Sequence, residues 1–270
     1  LLPVPIIGNV ITFLNTKRPV VTASRSITMP SAGNQFIRPK VTAHTLVAKQ
    51  AKEYDALASQ AMKVTPINVT KSTYGGSLSV SFQDRDWTEP AIMDLIVTDM
   101  AANYGVQTDA AACASLIAGS TVTVPLAADA DAKATLAALT TAASKIGAAI
   151  FDMPDVLFVS FDQWARLASL VDSTGRQVFP FLNPMNAAGN GGHATAMEMN
   201  VLGLRVIPDA NLAAGTMVMG RSELLETYES IGGQVSVVAP TTLSFTLAYY
   251  GYFASTVVES GGFVTLKPGA

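Results

Sequence analysis

The sequence predicts an α+β fold, and three observations lead to that prediction. A long helical pattern runs from Thr88 to Ser120, with apolar side chains recurring every three or four residues. Short segments near both ends of the chain alternate apolar and polar residues, which is typical of half-buried strands. Between Ser120 and the closing strands, helix-like and strand-like segments follow one another, which indicates a mixed α/β middle.

The long helix is the clearest element of the chain. Thr88 or Glu89 can cap its start, and Pro90 occupies a first-turn position where a missing N–H costs nothing. Its predicted buried stripe comprises Ile92, Leu95, Ile96, Met100 and Tyr104, and continues through Ala110, Cys113, Leu116 and Ile117. Gly105 interrupts the stripe at a cost of about 1 kcal/mol relative to alanine. We expect one continuous rod; the alternative is two helices, with Asp109 capping the second.

The segments before this helix predict an extended arm followed by a hairpin. Pro3 and Pro5 exclude a regular helix in residues 1–18, and a short β segment is expected from Val20 towards Ile27. One hairpin strand is predicted around 41–47 and its return around 64–69, with residues 50–62 as a helical turn or a broad tip. Because such a ribbon has no strong apolar face, we expect it to protrude and lie on another chain; the alternative is an ordinary edge hairpin. A turn at 74–76 should precede a strand at 77–82.

The segments after the long helix predict alternating short strands and helices. Strands are expected at 121–126, 155–159, 202–207, 216–219, 243–249 and 263–266, and helices at 131–146 and 160–170. Ser160 is the expected cap of the second helix, whose apolar side should hold Phe161, Trp164, Leu167 and Leu170. Residues 172–193, rich in Gly, Asn and Pro, predict a long loop that is either functional or disordered, and a shell could use it at a subunit contact.

The composition favours assembly and offers nothing for a nucleic-acid backbone to bind. Only 14% of the 270 residues are charged and 49% are apolar, which indicates either permanent subunit contacts or a large, well-buried α/β enzyme. The net charge is −3 and no Lys/Arg cluster is present, so sequence-independent binding to nucleic acid is unsupported. The broken apolar start, without an initiator Met, predicts neither a membrane span nor a signal peptide, and it needs another surface to lie on.

The sequence predicts no catalytic residue, no cofactor-binding residue and no metal ligand. His44 and His193 lack partners at metal-ligand spacing, and no G-x-S-x-G elbow is present. Residues 189–192, GNGG, lack the Lys and the strand–helix context of a phosphate loop. Asp129 and Asp131 are better explained by helix capping than by calcium binding, and the single cysteine, Cys113, by packing as a small hydrophobe. The mixed charges of Lys49, Lys52, Glu53 and Asp55 predict a solvated face, or a face that docks onto a neighbour.

The order of these parts resembles the major capsid protein of tailed bacteriophages, which has the Hong Kong 97 fold. The residues that carry the resemblance are RPVVTASRSITMP, VAKQAKEYDALASQAMKV, VSFQDRDWTEPAIMDLIVTDMAANYGVQTDAAACASLIAG and the closing LSFTLAYYGYFASTVVESGGFVTL. The resemblance extends over nearly the whole chain and rests on the order of the elements and on the local sequence pattern. The resemblance implies an N-terminal arm at 1–35, an extended E-loop hairpin at 36–72, a peripheral domain with a spine helix at 73–128, an axial α/β domain at 129–235, and returning peripheral strands at 236–270.

The resemblance also implies a function. The chain would be a structural subunit, not an enzyme, that assembles with itself into the hexamers and pentamers of an icosahedral shell around double-stranded phage DNA. Scaffold, portal and decoration proteins are possible further partners, and the shell would form in the bacterial cytoplasm, without sequence-specific DNA binding and without a membrane. The missing Met is similar to a family habit in which a maturation protease removes an N-terminal segment. An encapsulin-like storage shell and an unrecognised soluble α/β enzyme are the alternatives.

One feature departs from a branch of this family. Some members join their subunits by a Lys–Asn isopeptide bond between the E-loop and the peripheral domain. The predicted hairpin contains Lys49, Lys52 and Lys63, but no Asn follows Asn211. We therefore expect a shell held together by non-covalent contacts.

Overall fold

The computed structural model describes residues 18–83, 91–127, 129–179 and 199–268. The helices that lie wholly in these ranges are α1 (Pro19–Ala23), α2 (Ala91–Gly119), α3 (Ala132–Ile150) and α4 (Phe161–Ser169). The strands are β1 (Arg25–Thr28), β2 (Gln35–Ala43), β3 (Lys63–Thr70), β4 (Ser72–Ser81), β5 (Val122–Pro125), β6 (Val156–Ser160), β7 (Asn200–Val201), β8 (Leu204–Asp209), β9 (Met217–Gly220), β10 (Leu225–Ala239), β11 (Ser244–Val257) and β12 (Phe263–Lys267). Short 3-10 turns occupy Ser222–Leu224 and Ser260–Gly262.

The strands form three sheets. A four-stranded sheet has the order β1-β10-β11-β4, with β1 parallel to β10 and the other pairs antiparallel. A six-stranded sheet has the order β5-β12-β9-β6-β8-β7. The third sheet is the two-stranded antiparallel hairpin β2-β3. The predicted mixture of helix and strand is therefore confirmed.

The six-stranded sheet is buried on both faces, which explains the continuous apolar run of β6. On one face, Leu157 and Val159 pack with Leu139 and Ile146 of α3 and Leu167 of α4. The opposite face packs on the C-terminal half of α2, in a cluster that includes Val20, Cys113, Leu116, Val156, Phe158, Leu225, Phe253 and Phe263. The long helix thus lies between the two large sheets.

α2 is a single helix of 29 residues that passes through Gly105 without a break, so the predicted rod is confirmed in preference to two helices. Tyr104, Cys113 and Leu116 are buried as predicted, whereas Ile117 is exposed. The side chains of Ile92 and Leu95 lie outside the described part of the chain. Gly251 of β11 is required where Tyr104 crosses the sheet, because a Cβ there would lie 2.5 Å from the phenolic oxygen. Within the described ranges, no helix combines the length and apolarity needed to cross a membrane.

Three local predictions before α2 are wrong. Residues 20–22 form part of helix α1 instead of a strand, because Pro19 suits the first helical turn and Val20 is fully buried against α2. The first hairpin strand lies at 35–43 instead of 41–47, whereas the return predicted at 64–69 is confirmed by β3. The segment between the strands is the broad tip of the two alternatives and contains only a turn, because nothing offers its helix-forming residues a surface to pack on. The predicted turn at 74–76 lies inside β4, where the chain pairs with β11.

Two details after α2 also differ from the prediction. Phe161 is 55% exposed, whereas Leu167 is buried and Trp164 and Leu170 pack partly buried against the same core, as predicted. Gln163 is also buried on that side. Ser160 precedes that helix but makes no capping hydrogen bond; its hydroxyl donates to the Thr216 carbonyl at 3.1 Å. By contrast, Asp131 caps α3 as expected, with its carboxylate accepting from the Ala134 N–H at 2.7 Å.

Sheet membership cuts across two of the predicted domain boundaries. The boundary between residues 235 and 236 falls inside β10, which is one uninterrupted strand partner of β11 apart from a bulge near Gly233. β5 and β12, both placed in the predicted peripheral domain, pair with each other and with β9 in the six-stranded sheet. These pairings place 122–125 and 263–267 with the α/β middle of the chain.

Candidate functional site: the hairpin, its base and the long sheet

Among the described residues, the contacts that fix the β2-β3 hairpin to the body of the protein lie at its base. Phe36 of β2 makes an edge contact with Tyr228 of β10, with ring centroids 4.6 Å apart. Val69 of β3 is buried with Met29, Tyr228 and Ala254. We call the four-stranded sheet β1-β10-β11-β4 the long sheet. Its face near β1 supplies the packing that a two-stranded ribbon lacks by itself.

A buried carboxylate holds this base in one orientation. Glu226 on β10 is 1% exposed, and both of its oxygens accept from the Arg38 guanidinium, at 2.8 Å from Nε and 2.7 Å from Nη2. The Tyr228 hydroxyl donates to the same carboxylate at 2.6 Å, and Arg25 of β1 lies 3.9 Å away. A bidentate guanidinium–carboxylate pair fixes direction as well as distance, so it sets the angle at which the hairpin leaves the sheet.

The electrostatics of Glu226 follow from this arrangement. Burial acts to raise the pKa of Glu226, but the hydrogen bonds from Arg38 and Tyr228 and the positive charges of Arg38 and Arg25 outweigh it and lower the pKa below its ordinary value. The carboxylate is therefore ionised at neutral pH. Two residues along β2, Lys40 forms a second and more exposed ion pair with Glu259 at 2.8 Å.

Beyond this base, the hairpin tip makes no use of the chain's own core. Every residue from 44 to 62 is exposed. Five of them are large and apolar, and the three most exposed are Val47 at 92%, Tyr54 at 94% and Leu57 at 71%. Lys49, Lys52, Glu53 and Asp55 are also exposed there. A protruding segment with exposed apolar side chains is a typical site of contact with another chain.

The far end of the long sheet is a second exposed surface. From Ser230 to Val258 the sequence contains no charged residue, and this stretch covers most of β10 and β11 with the turn between them. Val235, Val237, Val238 and Leu243 in this stretch are 44–63% exposed. Uncharged, apolar strand surface of this kind is an association site unless something covers it.

The N-terminal part of the described chain is joined to β10 at Glu229, away from the uncharged end of the long sheet. The buried Arg18 guanidinium donates to Glu229 of β10 at 3.0 Å and lies over the ring of Phe253, with Cζ 5.6 Å from its centroid. Tyr104 of α2 donates to the other oxygen of Glu229 at 3.0 Å. Arg18 thus joins the segment that precedes α1 to both the sheet and the long helix.

Those residues considered for chemistry from the sequence that the structure describes are not brought together. His44 is exposed on the hairpin, while His193 and the run at 189–192 lie outside the described residues. Asp131 caps α3, which is the role predicted for it. Cys113 is buried, and burial raises the pKa of its thiol far above the ordinary range, so it remains protonated.

Sequence reasoning missed one group of polar residues at the helix α2. Asp109, Cys113 and Asp209 place their polar atoms within 4.8 Å of one another, and all three are buried. Each already has hydrogen-bond partners in the protein: the Val21 N–H and the Asn211 side chain donate to Asp109, and the Asn211 N–H and the Cys113 thiol donate to Asp209. No signal in the sequence pairs Asp109 with a residue so far away along the chain. The arrangement is a pair of buried carboxyl groups within a helix–sheet junction.

Comparison with known proteins identifies the fold. Among solved structures, the chain is similar to a protein of Gordonia phage Cozz, with 18% identity, 94% of this chain and 87% of that chain covered, and a TM-score of 0.68. It is similar to a chain from the "Capsid of native GTA particle computed with C5 symmetry", with 10% identity, 93% and 91% covered, and a TM-score of 0.73. It is also similar to a chain from the mature capsid of bacteriophage PhiM1, with 13% identity, 92% and 86% covered, and a TM-score of 0.67. No curated protein sequence matches the chain.

The sequence itself gives the family. A family profile described as phage capsid protein matches residues 64–266, from the return strand of the hairpin to β12. Together with the fold shared over nearly the full length, this match confirms the resemblance drawn from the layout of the sequence, and it leaves the storage-shell and enzyme alternatives without support. The chain belongs to the phage capsid protein family and is a major capsid protein, a structural component of the virion shell.

Proposed function

We propose that this subunit assembles with copies of itself into the hexamers and pentamers of an icosahedral shell that encloses double-stranded DNA, and that it has no catalytic activity. The observation that carries the proposal is the exposed apolar surface of the hairpin tip, at Val47, Tyr54 and Leu57. These side chains project away from a hairpin whose base alone is packed. Burying them against a neighbouring subunit would contribute about 1.5–3 kcal/mol for each large side chain that becomes fully covered.

The parts of the fold take the family's roles in this proposal. Residues 1–35 are the N-terminal arm, 36–72 the E-loop, 73–128 with 236–270 the peripheral domain containing α2 as the spine helix, and 129–235 the axial domain. The pairing of β5 and β12 with β9 supports moving residues 122–125 and 263–267 into the axial domain. The uninterrupted β10-β11 pair supports extending the peripheral domain back to Leu225.

The charge of the chain suits a container better than a DNA-binding protein. The net charge is −3, and the positive side chains of the hairpin base are already paired with carboxylates. Binding along a DNA backbone requires several unpaired Lys or Arg side chains. We therefore propose enclosure of DNA without sequence-specific contacts, in a shell that forms in the host cytoplasm and contacts a portal, with scaffold or decoration proteins as further partners. Catalytic, cofactor and metal sites have no part in this function.

The test is a pair of matched triple variants of the hairpin tip. Val47, Tyr54 and Leu57 are changed together to serine, and in the control Thr45, Ser59 and Gln60 from the same exposed segment are changed together to alanine. Because these side chains make no core contact, both variants should fold with unchanged circular dichroism. The first should remain as small oligomers by sedimentation and electron microscopy, while the control should form shells like the unmodified chain. Normal shells from the serine variant would show that the tip is not an assembly surface.

A further inference from the structure

Two buried carboxyl groups meet where three elements of the subunit join. Asp109 lies in the middle of α2 and is 0% exposed, and Asp209 ends β8 and is 1% exposed. Helix α1 completes the junction, because its Val21 N–H donates to Asp109 Oδ1 at 3.0 Å. The pair therefore connects the N-terminal helix, the long helix and the six-stranded sheet at one point.

Asn211 and Cys113 donate hydrogen bonds to the two carboxyl groups. Asn211 donates from Nδ2 to Asp109 Oδ2 at 3.3 Å and from its backbone N–H to Asp209 Oδ1 at 2.7 Å. The Cys113 thiol donates to Asp209 Oδ2 at 3.5 Å. Oxygen atoms of the two carboxyl groups lie within 4.8 Å of each other, and both residues are buried. Two negative charges this close together and away from water disfavour each other strongly, which favours the state in which one carboxyl group keeps its proton.

If both carboxyl groups were ionised, no positive charge among the described residues would be paired with them. Among the described residues, no Lys or Arg forms an ion pair with Asp109 or Asp209. Arg18, just before α1, is paired with Glu229, and Tyr104, one turn earlier on α2, donates to the same glutamate. Cys113 on α2 remains a thiol, Arg205 at the start of β8 is exposed, and the neighbouring parts of β6, β9 and β11 contribute Phe158, Val218 and Phe253.

We propose that Asp109 and Asp209 share a single proton, and that this proton fastens α1 to α2 and β8, so that α1 is held most tightly in acid and progressively less tightly as the pH rises. The device goes beyond shell formation itself, because it concerns how firmly the subunit holds helix α1 within its N-terminal arm.

The direction of the effect follows from proton linkage. Burial, the hydrogen bond with Asp209 and the charge of Asp209 raise the pKa of Asp109 from 3.8 to about 8, against smaller lowering effects of the Val21 N–H and Asn211. In an opened junction the group would regain its ordinary pKa. Between these two values the closed junction holds one more proton than the open one, so rising pH favours opening. Above about pH 8 both states have lost the proton and the dependence ends.

Helix α1 is the element expected to move. It has five residues, too few for a helix to be stable without packing, whereas α2 has 29 residues and β8 is paired on both sides. When both carboxyl groups are ionised, their repulsion is relieved at the lowest cost if α1 moves away and water enters the junction. The Arg18–Glu229 pair, the packing of Val20, Val21 and Ala23, and the Ser24–Thr227 hydroxyl contact then oppose that withdrawal.

Hydrogen exchange of the full chain tests the proposal. The protection of residues 19–23, corrected for the intrinsic effect of pH on exchange, is measured at each unit from pH 5 to pH 9. In the unmodified chain we expect protection to fall by up to about tenfold per pH unit until about pH 8 and then to level off. Asp109→Asn keeps the acceptor for the Val21 N–H without a titrating group and should abolish this slope. Asp99→Asn, on an exposed position of the same helix, should leave it unchanged.

A second measurement keeps the proposal testable if Asp109→Asn folds poorly. Isotope-labelled aspartate should give the infrared carbonyl band of a protonated carboxylic acid at pH 7, and either Asp109→Asn or Asp209→Asn should remove it. Absence of that band in the unmodified chain would overturn the shared proton. A slope that persists in Asp109→Asn, or a protection that does not change with pH in the unmodified chain, would overturn the role of the pair in fastening α1.

Discussion

Replacing Arg38 by alanine should release the base of the hairpin from the long sheet. The change leaves the Glu226 carboxylate, whose side chain is 2% exposed, with only the Tyr228 hydroxyl and the distant Arg25 as partners. Removing one partner of a fully buried ion pair costs about 3–5 kcal/mol. Arg38 itself is 35% exposed and water can enter its place, so we expect a smaller loss of about 2 kcal/mol.

Lys40→Ala is the matched control for this prediction. Lys40 lies two residues further along β2 and pairs with Glu259, but both side chains are partly exposed, at 25% and 39%. An ion pair of this kind contributes about 0–1 kcal/mol. The two variants therefore remove one cation each from the same strand and differ in the burial of the carboxylate that remains.

Hydrogen exchange of residues 35–43 and 63–70 in unassembled subunits measures the effect directly. In Arg38→Ala the protection of both strands should fall by about thirtyfold, which corresponds to about 2 kcal/mol, and in Lys40→Ala by less than about fivefold. In the unmodified chain, the protection of these two strands should also fall in acid. The lowered pKa of Glu226 means that its carboxylate stabilises the base only while it is ionised. This loss begins below its ordinary value of 4.5 and is complete once the pH has passed the folded pKa. Equal protection in the two variants would refute the view that Glu226 sets the hairpin's orientation.

Two further predictions concern the core and the shell. Leu116→Ala should lower the free energy of unfolding, measured in urea, by about 2–5 kcal/mol, because Leu116 is fully buried in a cluster with Phe158 and Phe253. Ile117→Ala, at the exposed neighbouring position, should lower it much less. Similar losses in the two variants would contradict the packing of α2. Shells boiled in denaturant without reductant should run as single chains on a denaturing gel, because no Asn follows Asn211 to accept an isopeptide bond; a ladder of multimers would show covalent joining.

The sequence predicts best those elements whose pattern is long and whose packing is local. α2 could be predicted through Gly105, because one glycine costs about 1 kcal/mol while the stripe on either side buries many apolar groups. α1 could not, because Val20, Val21 and Thr22 are β-branched and favour a strand by local preference. The burial of Val20 against α2 overrides that preference, and nothing near it in the chain announces the contact.

The polar contacts at the base of the hairpin and in the acid pair could not be predicted for a related reason. Arg38 and Glu226 are 188 residues apart, and Asp109 and Asn211 are 102 residues apart. A single sequence contains no signal that joins charges at such separations. The first hairpin strand was misplaced by several residues because it is mostly exposed, so that burial does not impose a clear alternation on it.

The position of β12 has a consequence for how the subunit is made. This strand lies between β5 and β9, and its Phe263, Val264 and Leu266 are fully buried. β5, synthesised about 140 residues earlier, has no neighbour in the described sheet other than β12. A nascent chain therefore exposes the edge of β9 and part of the core beneath α2 until β12 emerges from the ribosome. Synthesis of β12, and not synthesis of the hairpin, completes the six-stranded sheet, so a chain cut before β12 would carry the hairpin surface on an incomplete core.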